Sequence, residues 1–491
     1  MQYSTPERMG ISTESIQRYI ETLEEAKLTT HSIMIARKGH IIFETYWKPF
    51  HRGFLHRLYS STKSVTALAV GFAVQDGLLS LDDKISEYFP DEIKNQKDTN
   101  MHNQTIRQML MMSTAKPDRG WFIDKPEDRV RYYFENEDFL DSKPGGTLFD
   151  YDSSGSFILG ALVERLTKKP LMEYMREKFM DEIGVSKEAY MLKCTGGHSW
   201  CDSAMLCTAE DFLRIAQFTI NYGSWHGKQL LNEDFVRAAT SCQITNNLWD
   251  DNQVNSQGYG YLIWRTWRNS FYFSGMGCQF AVCTPDKDLV FVMNADNQGK
   301  SFATQAALEN YFKIIVDNAK DEPLAENADA AQKLKDYCDN LVLAYAKGTK
   351  HTNTEKRING VTYTAKENPM GIKEFRLTFY DEYGIFSYEN AQGKKELKFG
   401  LCRNEFTRFP QDGYSDEVGT VAGNIRYKCA VSAAWIDEKT LYIKVQAIDK
   451  YMGILNMFFA FDDEMKSGVR MVKNAEHFFK EYSGWLSAEP K

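Results

Sequence analysis

The chain has 491 residues, of which 43% are hydrophobic and 26% charged, and its net charge is −8 at neutral pH. This composition is typical of a folded globular protein and excludes a disordered or collagen-like chain. The negative charge disfavours nucleic-acid binding, because phosphate backbones select basic surfaces. The sequence has neither a long uncharged apolar run nor a signal-peptide core, so we expect a cytoplasmic protein with no membrane partner.

The first 320 residues mix helical and strand patterns. Apolar residues at helical spacing predict a helix over residues 11–27, followed by strands at 32–36 and 40–46 around a Lys38-Gly39 turn. The remaining helices are predicted over residues 61–77, 155–168, 208–222 and 304–316. The remaining strands are predicted over residues 259–267, 270–273, 280–284 and 289–294.

The composition changes after residue 320. Residues 321–355 are predicted to form a linker and a helix, at about 331–346. From residue 356 to 491 the pattern has period two, as in Phe375, Leu377 and Phe379. This alternation predicts a small antiparallel β-rich domain that resembles a barrel. The expected division is therefore 1–320, 321–355 and 356–491.

The segment Tyr59-Ser60-Ser61-Thr62-Lys63-Ser64 opens the predicted helix over residues 61–77. Ser60 and Lys63 are three residues apart, so their side chains share one face of a helix. A neutral serine hydroxyl needs a neighbouring base to become a nucleophile, and a lysine amine one turn away can be that base. A helix N-terminus also directs main-chain N–H groups toward developing negative charge. The alternative is that Ser60 only caps the helix.

Together with Gly77-Leu-Leu-Ser-Leu-Asp-Asp83 and Tyr88-Phe-Pro90, this segment resembles the serine β-lactamase and penicillin-binding-protein superfamily. It is most similar to the branch of class C β-lactamases, related esterases and 6-aminohexanoate-dimer hydrolases. In that branch the serine of Ser-x-x-Lys becomes acylated and the lysine helps to deprotonate it. The resemblance therefore implies that Ser60 is the nucleophile and Lys63 an acid/base group.

A second motif of this superfamily, Tyr-x-Asn after a Pro-Gly turn, is matched in part. The sequence Lys143-Pro-Gly-Gly-Thr-Leu-Phe-Asp-Tyr151-Asp152-Ser153 places Tyr151 at the motif tyrosine, which the resemblance implies is a general acid or base. Ser153 replaces the usual asparagine. It keeps a hydrogen-bonding side chain for substrate, but a shorter one.

The third motif, Lys-Thr-Gly or His-x-Gly on a strand, corresponds to Phe273-Ser274-Gly275. By resemblance, Ser274 and Gly275 bind substrate, and the main-chain N–H groups of Ser60 and Met276 form the oxyanion hole. Phe273 stands where β-lactamases carry a cation. The absence of this cation argues against antibiotic hydrolysis and favours an uncharged pocket. The aromatic residues between Tyr259 and Trp267 either line that pocket or form a strand core.

Two other constellations compete with this assignment. Gly197-His198-Ser199-Trp200-Cys201 is close to the Gly-x-Ser-x-Gly nucleophile elbow but lacks its last glycine. A run of four zinc-type ligands also lies nearby: Cys194, His198, Cys201 and Cys207. Its spacing fits none of the usual zinc signatures, so separate thiols and a loop histidine are favoured.

The resemblance implies an α/β (α+β) fold: a sandwich-like antiparallel sheet flanked by helices, a helical subdomain around Tyr151, and the appended C-terminal β-barrel-like domain. It further implies a serine hydrolase that cleaves a small amide or ester through a Ser60 acyl-enzyme. We expect no metal or organic cofactor, a small-molecule substrate as partner, and a monomer or homodimer. The alternatives are D-amino-acid peptidase, transpeptidase or β-lactamase activity, or a penicillin-binding-like sensor that does not turn over.

Overall fold

The computed structural model describes residues 1–117, 120–135, 142–247, 253–419, 423–475 and 478–491. These residues divide into two compact units. The first comprises Met1–Val342 and Glu417–Thr420, and the second comprises Leu343–Asp416 and Val421–Lys491. The boundary near residue 342 falls inside the segment 321–355 that the sequence analysis assigned to a linker and helix.

The first unit contains a seven-stranded sheet and several short strands. In chain order its strands are β1 (Gln2–Tyr3), β2 (Thr30–Arg37), β3 (His40–Tyr46), β4 (His56–Arg57), β5 (Tyr190–Met191), β6 (Met205–Cys207), β7 (Ser224–Trp225), β8 (Lys228–Gln229), β9 (Trp264–Thr266), β10 (Ser270–Gly275), β11 (Gln279–Thr284) and β12 (Leu289–Ala295).

Helices surround these strands. They are α1 (Thr13–Glu25), α2 (Ser61–Gln75), α3 (Pro90–Ile93), α4 (Thr99–Asn103), α5 (Ile106–Leu110), α6 (Arg129–Glu135), α7 (Ser153–Thr167), α8 (Leu171–Met175), α9 (Ala209–Ile220), α10 (Glu233–Thr240), α11 (Ala303–Asn310) and α12 (Ala328–Asp339). Helices α8 and α11 each continue directly into a π-helical segment, at Arg176–Met180 and Tyr311–Val316 respectively.

The strand order of the main sheet is β1-β3-β2-β12-β11-β10-β9, and every pairing except β1–β3 is antiparallel. Every residue of β2 and β12 is buried, because helices cover both faces of the sheet at these central strands. On one face α1 packs its apolar stripe against the sheet, with the Tyr19 ring 5.5 Å from that of Phe291. On the other face lie α2 and α9.

Helix α2 is buried at every position from Ser61 to Ala73. A helix that is enclosed all round can be apolar on every side, and after its polar first turn α2 consists mainly of alanine, valine, leucine and phenylalanine. It packs between the sheet and α7, which belongs to the helical group that follows. The first turn of α2 is therefore held rigidly at the edge of the sheet.

The described residues of the second unit form one helix, α13 (Asn353–Ile358), and ten strands. The strands are β13 (Thr362–Ala365), β14 (Glu374–Phe379), β15 (Tyr383–Asn390), β16 (Gly393–Leu401), β17 (Glu405–Arg408), β18 (Lys428–Trp435), β19 (Thr440–Ile448), β20 (Met452–Phe461), β21 (Ser467–Asn474) and β22 (Gly484–Pro490).

Nine of these strands close into a barrel. Neighbouring strands pair antiparallel in the order β16-β15-β14-β13-β22-β21-β20-β19-β18, and a parallel pairing of Gly400 with Ser432 and of Leu401 with Ala433 closes the ring. Strand β17 adds to the edge of β18. The predicted fold class, with its flanked antiparallel sheet and C-terminal β-barrel, is confirmed.

Two predicted elements were wrong in extent. Of residues 259–267, only Trp264–Thr266 form a strand, because Gly258 and Leu262 adopt positive φ angles of 99° and 54° that interrupt extended backbone. The helix predicted at about 331–346 spans Ala328–Asp339 and ends at Asn340. The described part of the chain contains no helix with the length and hydropathy of a membrane span.

Candidate active site

Ser60 and Lys63 lie in the first turn of α2 and contact each other. Tyr59 adopts a left-handed backbone angle (φ 47°) and turns the chain from β4 into the helix. Lys63 Nζ is 3.0 Å from Ser60 Oγ and 2.8 Å from the main-chain oxygen of Asp202. The lysine side chain is 1% exposed. Since the Ser60 hydroxyl makes no capping hydrogen bond in the described structure, it is directed to the lysine instead of the helix end.

Tyr151 precedes α7 and faces the same lysine. Lys63 Nζ is 5.2 Å from the centroid of the tyrosine ring, within the range of a cation–π interaction. The Trp264 ring stacks on the Tyr151 ring, with 5.6 Å between their centroids. Tyr151 is thus in contact with both the Lys63 amine and an indole ring.

A buried carboxylate next in sequence holds the chain at Tyr151 in place. Asp152 accepts hydrogen bonds from Thr114 Oγ1 at 2.7 Å and Ser154 Oγ at 2.5 Å, and burial raises its pKa. Ser153, the predicted substrate contact, is the first residue of α7. It is not among the described residues that line the pocket below.

The end of β10 forms the opposite edge of the site. Ser61 Oγ donates to the main-chain oxygen of Gln279 at 2.8 Å, which ties the start of α2 to β11, the partner of β10. Any Cβ at Gly275 would collide with the main-chain oxygen of Leu58, two residues before Ser60. Glycine is therefore required at this position for β10 to approach the nucleophile segment.

Phe273 does not face the site. It is fully buried, with its ring 6.1 Å from that of Phe212 on α9. The neighbouring Ser274 points to the other side of the strand, where it lines the pocket. The position at which relatives carry a cation is therefore a core position in this chain.

A pocket of about 510 Å³ brings together five of the predicted site residues, but neither Lys63 nor Ser153 is in its described lining. Its lining includes six residues discussed above: Ser60, Tyr151, Trp264, Ser274, Gly275 and Met276. The far wall is a segment between Asn297 and Thr304 that the sequence analysis did not assign to the site. No acidic side chain belongs to the described lining. Its lysine, Lys300, already donates to the main-chain oxygen of Lys27 at 2.6 Å and to Asn297 Oδ1 at 3.2 Å.

Asp202 is a further charged residue beside Lys63 that the sequence analysis missed. Its side chain is completely buried, with Oδ2 3.9 Å from Lys63 Nζ. It lies just before β6, which pairs with β4, the strand that leads to Ser60. A sequence signal was available, since an aspartate inside the apolar run Trp200 to Leu206 must be compensated in the fold.

The competing constellations are located elsewhere. His198 Nδ1 contacts Glu164 Oε2 at 3.3 Å, and the main-chain N–H of Ser199 faces the same carboxylate. Cys194, Cys201 and Cys207 are buried as free thiols. Across the described ranges, no three His, Cys, Asp or Glu side chains are grouped so that they could hold a metal ion. Among the described residues, no hydrogen bond joins the Ser199 hydroxyl to a basic side chain.

Comparisons with known proteins match most of the first unit. A family model described as beta-lactamase matches residues 16–312. A 6-aminohexanoate-dimer hydrolase from Paenarthrobacter ureafaciens is 20% identical over 253 residues, which are 48% of this chain and 64% of the relative. The chain therefore spans less than two thirds of that relative's length.

Solved structures share the fold of the first unit. A penicillin-binding protein homologue from Caulobacter crescentus superposes with a TM-score of 0.50 at 14% identity, over 63% of this chain and 98% of that one. EstCE1, described as a hydrolase with promiscuous acyltransferase activity, gives a TM-score of 0.50 at 14% identity, over 61% and 99%. Because the family model covers more than half of its length, the chain belongs to the beta-lactamase family.

Proposed function

We propose that the protein is a serine hydrolase that cleaves a small amide or ester through an acyl-enzyme on Ser60. The observation that carries the proposal is the 3.0 Å contact between Lys63 Nζ and Ser60 Oγ at the foot of an open pocket. This is the distance at which a base can take a hydroxyl proton. The names of the relatives, an amide-dimer hydrolase and an acyltransferring hydrolase, support the same class of reaction.

The reaction proceeds in two halves. Lys63 accepts the Ser60 proton, with Tyr151 assisting, while Oγ forms a bond to the substrate carbonyl carbon. The main-chain N–H groups of Ser60 and Met276 stabilise the oxyanion. Tyr151 then protonates the leaving alcohol or amine as its bond to carbon breaks. Water attacks the acyl-enzyme in the second half and releases the acid and free Ser60.

The pocket lining favours an uncharged substrate. Tyr151 and Trp264 supply an aromatic wall, and the described lining offers no acidic side chain. Lys300 is the cation of the lining, but two protein oxygens already bind its ammonium group, and burial lowers its pKa. A substrate carboxylate would have to compete with these oxygens. We therefore favour a neutral acyl group over a β-lactam carboxylate.

The proposal is tested with p-nitrophenyl esters and nitrocefin on the wild type and on Ser60→Ala, with intact-mass detection of the adduct. We expect ester turnover and a mass adduct in the wild type only, with little nitrocefin cleavage. Equal turnover in Ser60→Ala would overturn the mechanism. A stable Ser60 adduct without turnover would indicate a sensor, and rapid nitrocefin cleavage a β-lactamase.

A further inference from the structure

Asp202 presents both its main chain and its side chain to Lys63. The main-chain oxygen accepts a hydrogen bond from Nζ at 2.8 Å, and the carboxylate Oδ2 lies 3.9 Å from the same nitrogen. Both side chains are buried, at 1% exposure for the lysine and 0% for the aspartate. One residue therefore determines where the Lys63 amine can lie relative to Ser60.

The carboxylate of Asp202 is unusual among the buried aspartates of this unit. The indole N–H of Trp121 is the side-chain donor nearest to this carboxylate, and no donor among the described residues meets full hydrogen-bond geometry with either oxygen. By contrast, Asp152 accepts hydrogen bonds from Thr114 and Ser154, and Asp211 accepts them from the main chain at Ser186 and Thr208. Those two carboxylates stabilise local structure. A purely structural Asp202 would be expected to be satisfied in the same way.

The charges around Asp202 are set by its neighbours on several elements. Burial raises the pKa of its carboxyl to about 6, and the positive charges of Lys63 on α2 and Arg129 on α6 oppose this rise. The other titratable groups that face it are the thiols of Cys194 and Cys201, and burial raises the pKa of both, so both remain neutral. Near neutral pH the carboxylate is thus the negative partner of Lys63.

We propose that Asp202 is the positioning residue for Lys63: its carboxylate holds the amine against Ser60 and stabilises the positive charge that Lys63 gains with the Ser60 proton. The inference rests on the proposed function. In the step itself the Oγ–H bond breaks, an N–H bond forms on Nζ, and Oγ bonds to the acyl carbon as the carbonyl π electron pair moves onto its oxygen. Asp202 stays ionised and takes no proton. Protonation of Asp202 in acid therefore slows acylation.

The test measures the rate of Ser60 acylation by p-nitrophenyl acetate over a pH series that brackets 6. In the wild type we expect the rate to fall on the acidic side with a midpoint near the pKa of Asp202, about 6. Asp202→Asn should lower the neutral-pH rate about tenfold or more and remove this acidic limb. KM should change little, because Asp202 is not among the described residues of the pocket lining.

Asp211→Asn is the matched control, since it also removes a buried carboxylate of the first unit. It should keep the wild-type pH profile. If Asp202→Asn folds and retains the wild-type rate and acidic limb, the inference is wrong. If the wild type itself forms no Ser60 adduct, the proposed function fails, and the inference fails with it.

A stability measurement covers the case in which Asp202→Asn does not fold. Lys63→Met leaves the Asp202 carboxylate without its nearest amine, so we expect a lower Tm. Lys63→Met/Asp202→Asn removes both ionisable groups of the pair and should recover much of that loss. Additive losses in the double variant would show that the two side chains are not coupled and would overturn the inference.

Discussion

His56, four residues before Ser60, is enclosed by aromatic rings. Its imidazole centroid lies 4.8 Å from the ring of Phe54, 5.2 Å from that of Phe50 and 5.5 Å from that of His31. The side chain is 1% exposed. Burial lowers the pKa of His56 to about 3, far below its usual value of 6.5. The folded protein therefore keeps this histidine neutral where the unfolded chain would protonate it.

The sign of the resulting pH dependence follows from proton linkage. Between about pH 6.5 and pH 3 the unfolded chain binds a proton at His56 that the folded protein refuses, so acid favours unfolding. This group alone should lower the free energy of unfolding by ~2 kcal/mol between about pH 7 and pH 5. His56→Leu removes this titration. The slope of its free energy of unfolding against pH should therefore be smaller over this range, by the amount that corresponds to about one bound proton.

The measurement is chemical denaturation across the pH series for both proteins. His226→Gln, at an exposed histidine, serves as the control and should retain the wild-type slope. An unchanged slope in His56→Leu would mean that His56 is protonated in the folded state, contrary to its burial.

At the scale of elements, the site depends on how closely β10 approaches the segment before α2. Gly275 contacts the main-chain oxygen of Leu58, so there is no side chain that can move away from a new Cβ. Met276, whose main-chain N–H is assigned to the oxyanion hole, follows directly. A displacement of β10 would therefore separate the two oxyanion donors.

Gly275→Ala should consequently reduce the rate of Ser60 acylation by about 10²-fold or more, the scale measured for loss of one oxyanion donor. It should also lower Tm. Gly468→Ala is the control, because Gly468 lies in β21 with open space around its Cβ position. If Gly275→Ala acylates at the wild-type rate, the close approach of β10 does not position the oxyanion donors.

Local patterns predicted most elements of the first unit to within a few residues. The helix expected at 61–77 spans Ser61–Gln75, and the strands expected around Lys38-Gly39 span Thr30–Arg37 and His40–Tyr46. Their signals are local: helical spacing of apolar residues, and alternation on either side of a glycine turn. Of the strand predicted at 259–267 only Trp264–Thr266 formed, because the positive φ angles of Gly258 and Leu262 interrupt the extended backbone before it.

At the scale of the whole molecule, the parts that sequence patterns left open are set by contacts between distant residues. Period-two alternation predicted the strands of the second unit, but not that Gly400 and Leu401 would pair with Ser432 and Ala433 to close a ring. Likewise motifs pointed to Ser60, Lys63 and Tyr151 as candidates. No motif pointed to Asp202, because its position beside Lys63 depends on the pairing of β6 with β4.

The chain crosses between its two units more than once, because Glu417–Thr420 belongs to the first unit although the chain on both sides belongs to the second. Within that segment Val418 is fully buried, and its main-chain N–H donates to the oxygen of Lys193 at 3.0 Å. Val418 also bridges to Cys194. The fold of the first unit is therefore completed by residues far beyond its main span.

Val418→Asp should destabilise the first unit by several kcal/mol, since it replaces a fully buried apolar side chain with a carboxylate. Val342→Asp places the same charge on a valine that is 43% exposed and should change the stability by less than about 0.5 kcal/mol. Thermal unfolding followed by Ser60 acylation reports on the first unit, because the adduct forms only while that unit is folded. Loss of acylation at a lower temperature in Val418→Asp than in Val342→Asp is the expected result. Equal loss in the two variants would mean that the segment at residue 417 contributes nothing to the unit that carries Ser60.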